Sequence, residues 1–221
     1  MTRVAAFITL FTVLLAASAS AQPKVEVSVG GGYSANSGVS SDQSPRLGQI
    51  YDTLTPVSGS TFNFTFGVYV SENTEVEFLW ARQGSRLDAE GPSGAKTSVS
   101  ELTLFNYMGN FVYNWGLHDA KARPYFFGGI GATQFSFGAS LLPNATGGIN
   151  SETRFATNWG GGVKFNFSKN VGAKVGVRWT PTYIASTAAG VWCDPFYGCW
   201  PMSDPHYTSQ FDTSFGLNLR F

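Results

Sequence analysis

The sequence predicts an all-β chain: an eight-stranded antiparallel up-and-down β-barrel that spans a membrane. Three observations carry that expectation. Apolar side chains recur with a period of two through most of the chain. The connections between these alternating segments run long, short, long, short, long, short, long. Finally, 19 Phe and 15% aromatic content accompany only 13% charged residues and a mean hydropathy of −0.03. Soluble domains carry about 25% charge, and helical membrane proteins are far more apolar. The balance of 14 Lys+Arg against 14 Asp+Glu leaves no basic surface for nucleic acid.

The first segment is read as a targeting signal. Arg3 precedes an apolar run from Val4 to Ala17, interrupted only by Thr9 and Thr12, which ends in Ala19-Ser20-Ala21. A positive start, a short apolar stretch and a small-x-small site make a secretory signal peptide. The run falls short of the ~20 residues a spanning helix needs. Residues 1–21 are therefore expected to be cleaved, leaving a barrel domain over residues 22–221. Gln22 is not Cys, so no lipid anchor is expected there. No later stretch approaches ~18 consecutive apolar residues, so an exported chain of this kind enters a membrane only as a closed barrel.

The strands follow in order. Val25, Val27, Val29 and Tyr33 alternate with Glu26, Ser28, Gly30 and Gly32. Phe62, Phe64, Phe66, Val68 and Val70 oppose Thr61, Asn63, Thr65, Gly67 and Tyr69, and Val76, Phe78 and Trp80 oppose Glu75, Glu77 and Leu79. Leu102 to Tyr113 carries Phe105, Tyr107, Phe111 and Tyr113 on odd positions but Leu102, Leu104 and Met108 on even ones. Tyr125 to Phe137 has aromatics of both parities, which suggests a bulge near Ala132. Phe155, Thr157, Trp159, Val163, Phe165 and Phe167 form one face of the next strand, and Val171, Ala173, Val175, Val177 and Trp179 that of its neighbour. The last strand alternates Phe211, Thr213, Phe215, Leu217, Leu219 and Phe221 with Gln210, Asp212, Ser214, Gly216, Asn218 and Arg220. Each strand thus has one oily face and one polar or glycine-rich face.

The long connections are 35–59, 84–97, 138–150 and 184–207; the short ones are 72–74, 115–121 and 168–170. This asymmetry is that of bacterial outer-membrane barrels, with short periplasmic turns and long extracellular loops. A soluble sandwich would bury the oily faces and set a charge-rich face in water, whereas the polar faces here are rich in Gly, Asn, Ser and Thr.

Particular stretches resemble a family. Pro124-Tyr125-Phe126-Phe127-Gly128-Gly129-Ile130-Gly131 is similar to the PY-x-x-x-G-x-G strand of small OmpA/OmpX-type outer-membrane barrels, and Trp159-Gly160-Gly161-Gly162-Val163-Lys164-Phe165 to the WGxGxGxxF strand that follows it. A Lys169-Asn170 turn and Val177-Arg178-Trp179 continue the likeness over the mature chain. In that family the terminal Phe221, with its alternating apolar residues, resembles the signal read by the outer-membrane assembly machinery. The resemblance implies a fold and a location in outer-membrane lipid, and is nearly silent on activity.

An eight-stranded barrel is just wide enough to be filled by its own side chains, which disfavours a diffusion pore. The inward positions are expected to carry Lys24, Glu26, Glu75, Glu77, Arg154, Lys164, Lys174, Arg178, Asp212 and Arg220, paired as a lumen charge network because unpaired buried charges are costly. Enzymatic chemistry is not expected. His118 falls in a periplasmic turn, and His206 lies near Asp204 and Ser203 in the last loop, a proximity in sequence rather than a triad geometry. No cluster has metal-ligand spacing, and Gly129 and Gly131 lack the third glycine and helix of a nucleotide fingerprint. Neither metal nor organic cofactor is expected.

Cys193 and Cys199 flank five residues of the fourth long loop, and in an exported chain such a pair reads as a disulfide. Trp192, Phe196, Tyr197 and Trp200 beside it are candidate contacts for a surface partner. The expected role is that of a non-enzymatic monomeric envelope protein acting structurally or through its four long loops. The alternatives are a binder or transporter of small apolar molecules, and third, a lipid-modifying enzyme.

Overall fold

The computed structural model describes residues 24–40, 53–91, 93–141, 151–184, 191–194, 198–201 and 206–221. The expected signal peptide, residues 1–21, lies outside them. The strands in chain order are β1 (Val25–Asn36), β2 (Val39–Ser40), β3 (Thr53–Pro56), β4 (Gly59–Tyr69), β5 (Thr74–Glu90), β6 (Lys96–Asn114), β7 (Ala122–Ser140), β8 (Glu152–Asn166), β9 (Val171–Ile184), β10 (Val191–Asp194), β11 (Gly198–Pro201) and β12 (His206–Arg220). Eight of them, β1, β4, β5, β6, β7, β8, β9 and β12, pair antiparallel around a ring that the β5–β6 and β1–β12 ladders close. β3 continues the line of β4 along β5 after a break at Val57-Ser58, and β10 and β11 form a separate hairpin.

The wall inverts the usual partition of a soluble core. Ile130 is 65% exposed while Lys164 is 1% exposed, because lipid replaces water as the outer solvent and the polar faces of most strands turn inward. Rings collect at both ends of the oily band. Trp80 lies between Phe62 at 6.0 Å and Phe105 at 6.3 Å, and Trp179 stacks on Phe211 at 6.1 Å. At the other end Tyr113 meets Phe126 at 5.3 Å, with Phe165, Phe167 and Phe221 exposed nearby. That end also holds the start of β1, the end of β12 and the short turns. Lys24 N donates to Phe221 O at 2.7 Å, and Phe221 N to Val25 O at 2.9 Å.

Three expectations need correction. No bulge occurs at Ala132: the β6–β7 register is unbroken from Leu102↔Phe137 to Asn114↔Tyr125, and β7–β8 from Ala122↔Phe165 to Phe135↔Glu152. The mixed parity arises because Tyr125, Phe127 and Phe135 are lumen rings and Phe126 a lipid-facing one. The irregularities lie elsewhere, between Ser100 and Leu102 and between Leu87 and Asp88, where Val99 is skipped in the pairing. The second long connection is mostly strand. β5 and β6 extend as a hairpin in which Gly91 N donates to Ala95 O at 3.1 Å and Gly94 adopts φ 75°, a left-handed conformation glycine takes without cost. Its inward residues, Leu87, Ala89 and Val99, remain apolar and buried, so the alternation continues past the membrane. Lastly, His206 begins β12, opposite Ile184, instead of lying in the loop.

The β8–β9 ladder has a gap. Pairing runs from Asn166↔Gly172 to Trp159↔Trp179, stops for the next two rows, and resumes only at Ala156↔Thr182. Pro181, which would sit in the open stretch, has no N–H to give a ladder bond.

Candidate functional site

The lumen is stratified. At the periplasmic end, β1, β5, β8 and β9 bring five ionised side chains together. Lys164 Nζ lies 2.7 Å from Glu26 Oε1 and 2.8 Å from Glu75 Oε2, and Lys174 Nζ lies 2.5 Å from Glu77 Oε2. Glu26, Glu75, Glu77 and Lys164 are almost wholly buried. Three carboxylates therefore face two ammonium groups, and neutral donors add to the shells of Glu26 and Glu77, while Glu75 Oε1 is buried without a hydrogen-bond partner among the described residues. The Tyr69 hydroxyl donates to Glu26 Oε2 at 3.0 Å, Asn110 Nδ2 to Glu77 Oε1 at 3.2 Å, and Lys164 donates to the Tyr69 oxygen at 3.3 Å. Lys174 sits 5.1 Å from the centre of the Tyr125 ring, within cation–π range. Gly67 makes the packing possible: a Cβ there would fall 1.8 Å from Glu75 Oε1, so the carboxylate occupies the space of the missing side chain.

Beneath this cluster Arg123 ties two turns across the mouth. Its Nη2 donates to Glu72 O at 2.5 Å and Asn73 Oδ1 at 2.8 Å, and its Nη1 lies 3.1 Å from His118 Nδ1. A guanidinium only donates, so Nδ1 must carry its lone pair. His118 packs edge-on against Tyr69 at 5.3 Å. Burial, then the adjacent Arg123 and Arg220, hold its imidazole below the usual 6.5. Arg220 is also buried and donates to Ser168 O at 3.1 Å.

Above the cluster a cavity between Glu77, Lys174, Arg178, Asp212 and Tyr125 has a volume of about 40 Å³. That is room for a few waters. Arg178 closes on Asp212 through Nε at 2.9 Å and Nη2 at 2.7 Å. A neutral layer follows, with Gln210 donating to Gln83 at 2.9 Å and Thr182, Thr133 and Asn106 in a hydroxyl–amide chain. The outer lumen is apolar, filled by Leu54, Leu87, Val99, Leu102, Leu104 and Phe135.

Of the ten expected network residues, Glu26, Glu75, Glu77, Lys164 and Lys174 form one cluster, Arg178 and Asp212 a separate pair, and Arg220 a cap at the mouth. Arg154 pairs with Glu152 at the outer rim. Lys24, by contrast, is exposed: it precedes the first barrel strand, where the ladder no longer imposes an inward direction. Arg123, Tyr69 and Tyr125 belong to the site although sequence reasoning did not assign them. Arg123 shares the parity of Tyr125 and Phe127, a usable signal once those rings are known to point inward. In the outer hairpin Cys193 is opposite Cys199 and Trp192 opposite Trp200, while their side chains, with Phe196 and Tyr197, lie outside the described residues.

A closed ring of eight antiparallel strands, oily without and ion-paired within, defines an outer-membrane-type β-barrel. The sequence matches the outer membrane protein beta-barrel domain over residues 6–221, and the chain belongs to that family; it is a bacterial outer-membrane protein. Among solved structures, the crystal structure of Neisserial surface protein A (NspA) is similar with a TM-score of 0.56 at 13% identity, covering 89% of this chain and 97% of that one. The outer membrane protein OprG from Pseudomonas aeruginosa gives 0.55 at 13%, covering 90% and 97%. The outer membrane enzyme PagL gives 0.37 at 17%, covering 89% and 99%. For the first two, at 13% identity, the likeness is one of fold. No curated protein matches the sequence.

Proposed function

We propose that the protein is a non-enzymatic, monomeric display barrel: a closed stave in the outer membrane whose outer loops meet surface partners. The observation that carries this reading is the filled lumen, with Lys164 held between Glu26 and Glu75 below and the Leu102–Leu104–Phe135 cluster above. A barrel closed at both levels has its outer end left for interaction. His118 and His206 sit at opposite ends of the barrel, which argues against their sharing catalytic work. A Cys193–Cys199 disulfide belongs to the proposal. Closing so small a ring contributes roughly 2–3 kcal/mol by chain entropy, and its chief effect is to fix the loop that carries Trp192, Phe196, Tyr197 and Trp200. Phe221 is read as the mark recognised by the assembly machinery. Purified protein in planar bilayers is expected to give no steady single-channel openings, and steady openings would overturn the closed-barrel reading. Adhesion of expressing cells to a surface partner should vanish on Trp192→Ala with Trp200→Ala; unchanged adhesion removes the loop as the contact.

A second reading has its own support. The gap in the β8–β9 ladder at Pro181 lies beside Asn158 and Thr180, both buried with polar atoms that lack a partner among the described residues. A wall open there would let small apolar molecules pass between the outer lumen and the lipid. Pro181→Val, which restores a ladder donor, should then slow uptake of a small alkane by reconstituted vesicles; an unchanged rate rejects the lateral path.

A further inference from the structure

The lipid-facing side of β5 changes character abruptly. Phe78 and Trp80 are followed on the same face by Arg82, Gly84 and Arg86, all three exposed. Arg82 pairs in register with Phe62 on β4 and Phe105 on β6, the rings that flank Trp80 in the outer aromatic band. The first guanidinium therefore lies at the upper edge of the oily zone, and the second four rows further out, where headgroups lie. Residues i and i+4 of a strand are about 13 Å apart. Between them Gly84 leaves open space, since a Cβ there would meet nothing within 4 Å. Thr103 stands opposite Gly84 on β6, and the exposed Ser60 lies near it on β4.

Three of the neighbouring carboxylates have partners elsewhere. Asp88 accepts from Ser98 at 2.7 Å, Glu90 pairs with Lys96 at 3.5 Å, and Glu152 pairs with Arg154. Glu101, opposite Arg86 in register, leans across β7, its Oε2 3.2 Å from where a Cβ on Gly138 would be. Arg82 and Arg86 have no ion pair among the described residues. Two guanidiniums without a carboxylate partner among the described residues, on either side of a notch at headgroup height on a lipid-facing wall, are fork-shaped donors suited to phosphate oxygens.

We propose that Arg82, Gly84 and Arg86, with Ser60 and Thr103, form a binding site for a phosphorylated glycolipid of the outer leaflet. Its phosphates are held by the two arginines and its sugar lies over Gly84. The site lies on the outside of the wall, independent of whether the lumen is closed.

The test is a binding titration of the purified, folded protein in neutral detergent micelles with bisphosphorylated lipid A, its dephosphorylated form, and phosphatidylglycerol. Folding is checked by heat-modifiable gel migration. Wild type is expected to bind the bisphosphorylated lipid at least about tenfold more tightly than the other two, and Arg82→Gln with Arg86→Gln to lose about that factor. Gly84→Leu, which fills the notch but keeps both arginines, should lose several-fold. Lys121→Gln with Lys169→Gln, exposed at the periplasmic end, should leave affinity unchanged. The proposal is overturned by equal binding of the dephosphorylated lipid or of phosphatidylglycerol, by an arginine double variant within twofold of wild type, or by an equal loss in the periplasmic lysine control.

Discussion

Replacing Lys164 by Met would remove the one cation that touches both Glu26 and Glu75 while keeping a stem of similar volume. At 2.7 and 2.8 Å, each contact is worth roughly 6 kcal/mol of gross attraction at an effective dielectric constant of about 20. Much of that is offset by the cost of desolvating the three ions. The net figure therefore comes from comparable cases: removing one partner of a buried pair costs about 3–5 kcal/mol, because the survivors are left uncompensated. The upper part of that range is expected here, since two carboxylates are stranded and Glu75 has little else than Asn114 Nδ2, at 3.5 Å, to replace the lysine. Urea unfolding in lipid vesicles, followed by tryptophan fluorescence, reads the loss directly. Adding Glu26→Gln and Glu75→Gln to Lys164→Met should recover most of it, since a neutral lumen of the same shape strands no charge. A loss below about 1 kcal/mol, or no recovery in the triple variant, would refute the argument that charge compensation holds the lower lumen together.

Other outcomes follow from single features. His118, held below its usual 6.5, resists protonation in the folded barrel more than in the unfolded chain; stability should therefore decline as pH falls below about 6.5, and His118→Gln should flatten that slope in unfolding midpoints measured across the range. Gly67→Val puts carbon where the Glu75 carboxylate lies, and a loss of about 1–3 kcal/mol in the same urea assay is expected; a neutral result would mean that the carboxylate can relocate freely. For the cysteines, intact mass should fall by two hydrogens relative to the reduced chain, and labelling by a maleimide before reduction would contradict the proposed disulfide.

The fold was largely legible because the barrel wall writes a period of two into every strand, and long and short connections alternate. Where the reading missed, lumen polarity was the cause. Leu102, Leu104, Met108, Val112, Phe127 and Phe135 are inward but apolar, so the rule that polar faces point inward fails along β6 and β7 and leaves mixed parity there. The hairpin beyond Gly84 was hidden for a related reason: Ser85, Arg86 and Asp88 look like loop, although Leu87 and Ala89 keep the alternation. The charged lumen residues were readable one by one from parity. Their grouping was not, because that Lys164 meets Glu75 depends on barrel shear, and shear is set by pairing registers that no local pattern encodes. The arginines of β5 were visible as residues, but their height relative to the rings of β4 and β6 needs the register too.

The lower charge cluster also bears on the order of assembly. Lys164 meets Glu75 across 89 positions of sequence, and Lys174 meets Glu77 across 97. Glu26, Glu75 and Glu77 all belong to the first three barrel strands, and the lysines that neutralise them arrive with the sixth and seventh. Strands inserted one at a time into lipid would carry stranded carboxylates for most of the process. The chain therefore favours a route in which the early hairpins remain in water or against a protein template until β8 and β9 have joined, so that closure of the ring and neutralisation of its interior happen together. Such long-range closure is intrinsically slow, and Lys164→Met would be expected to retard the late step more than the early ones.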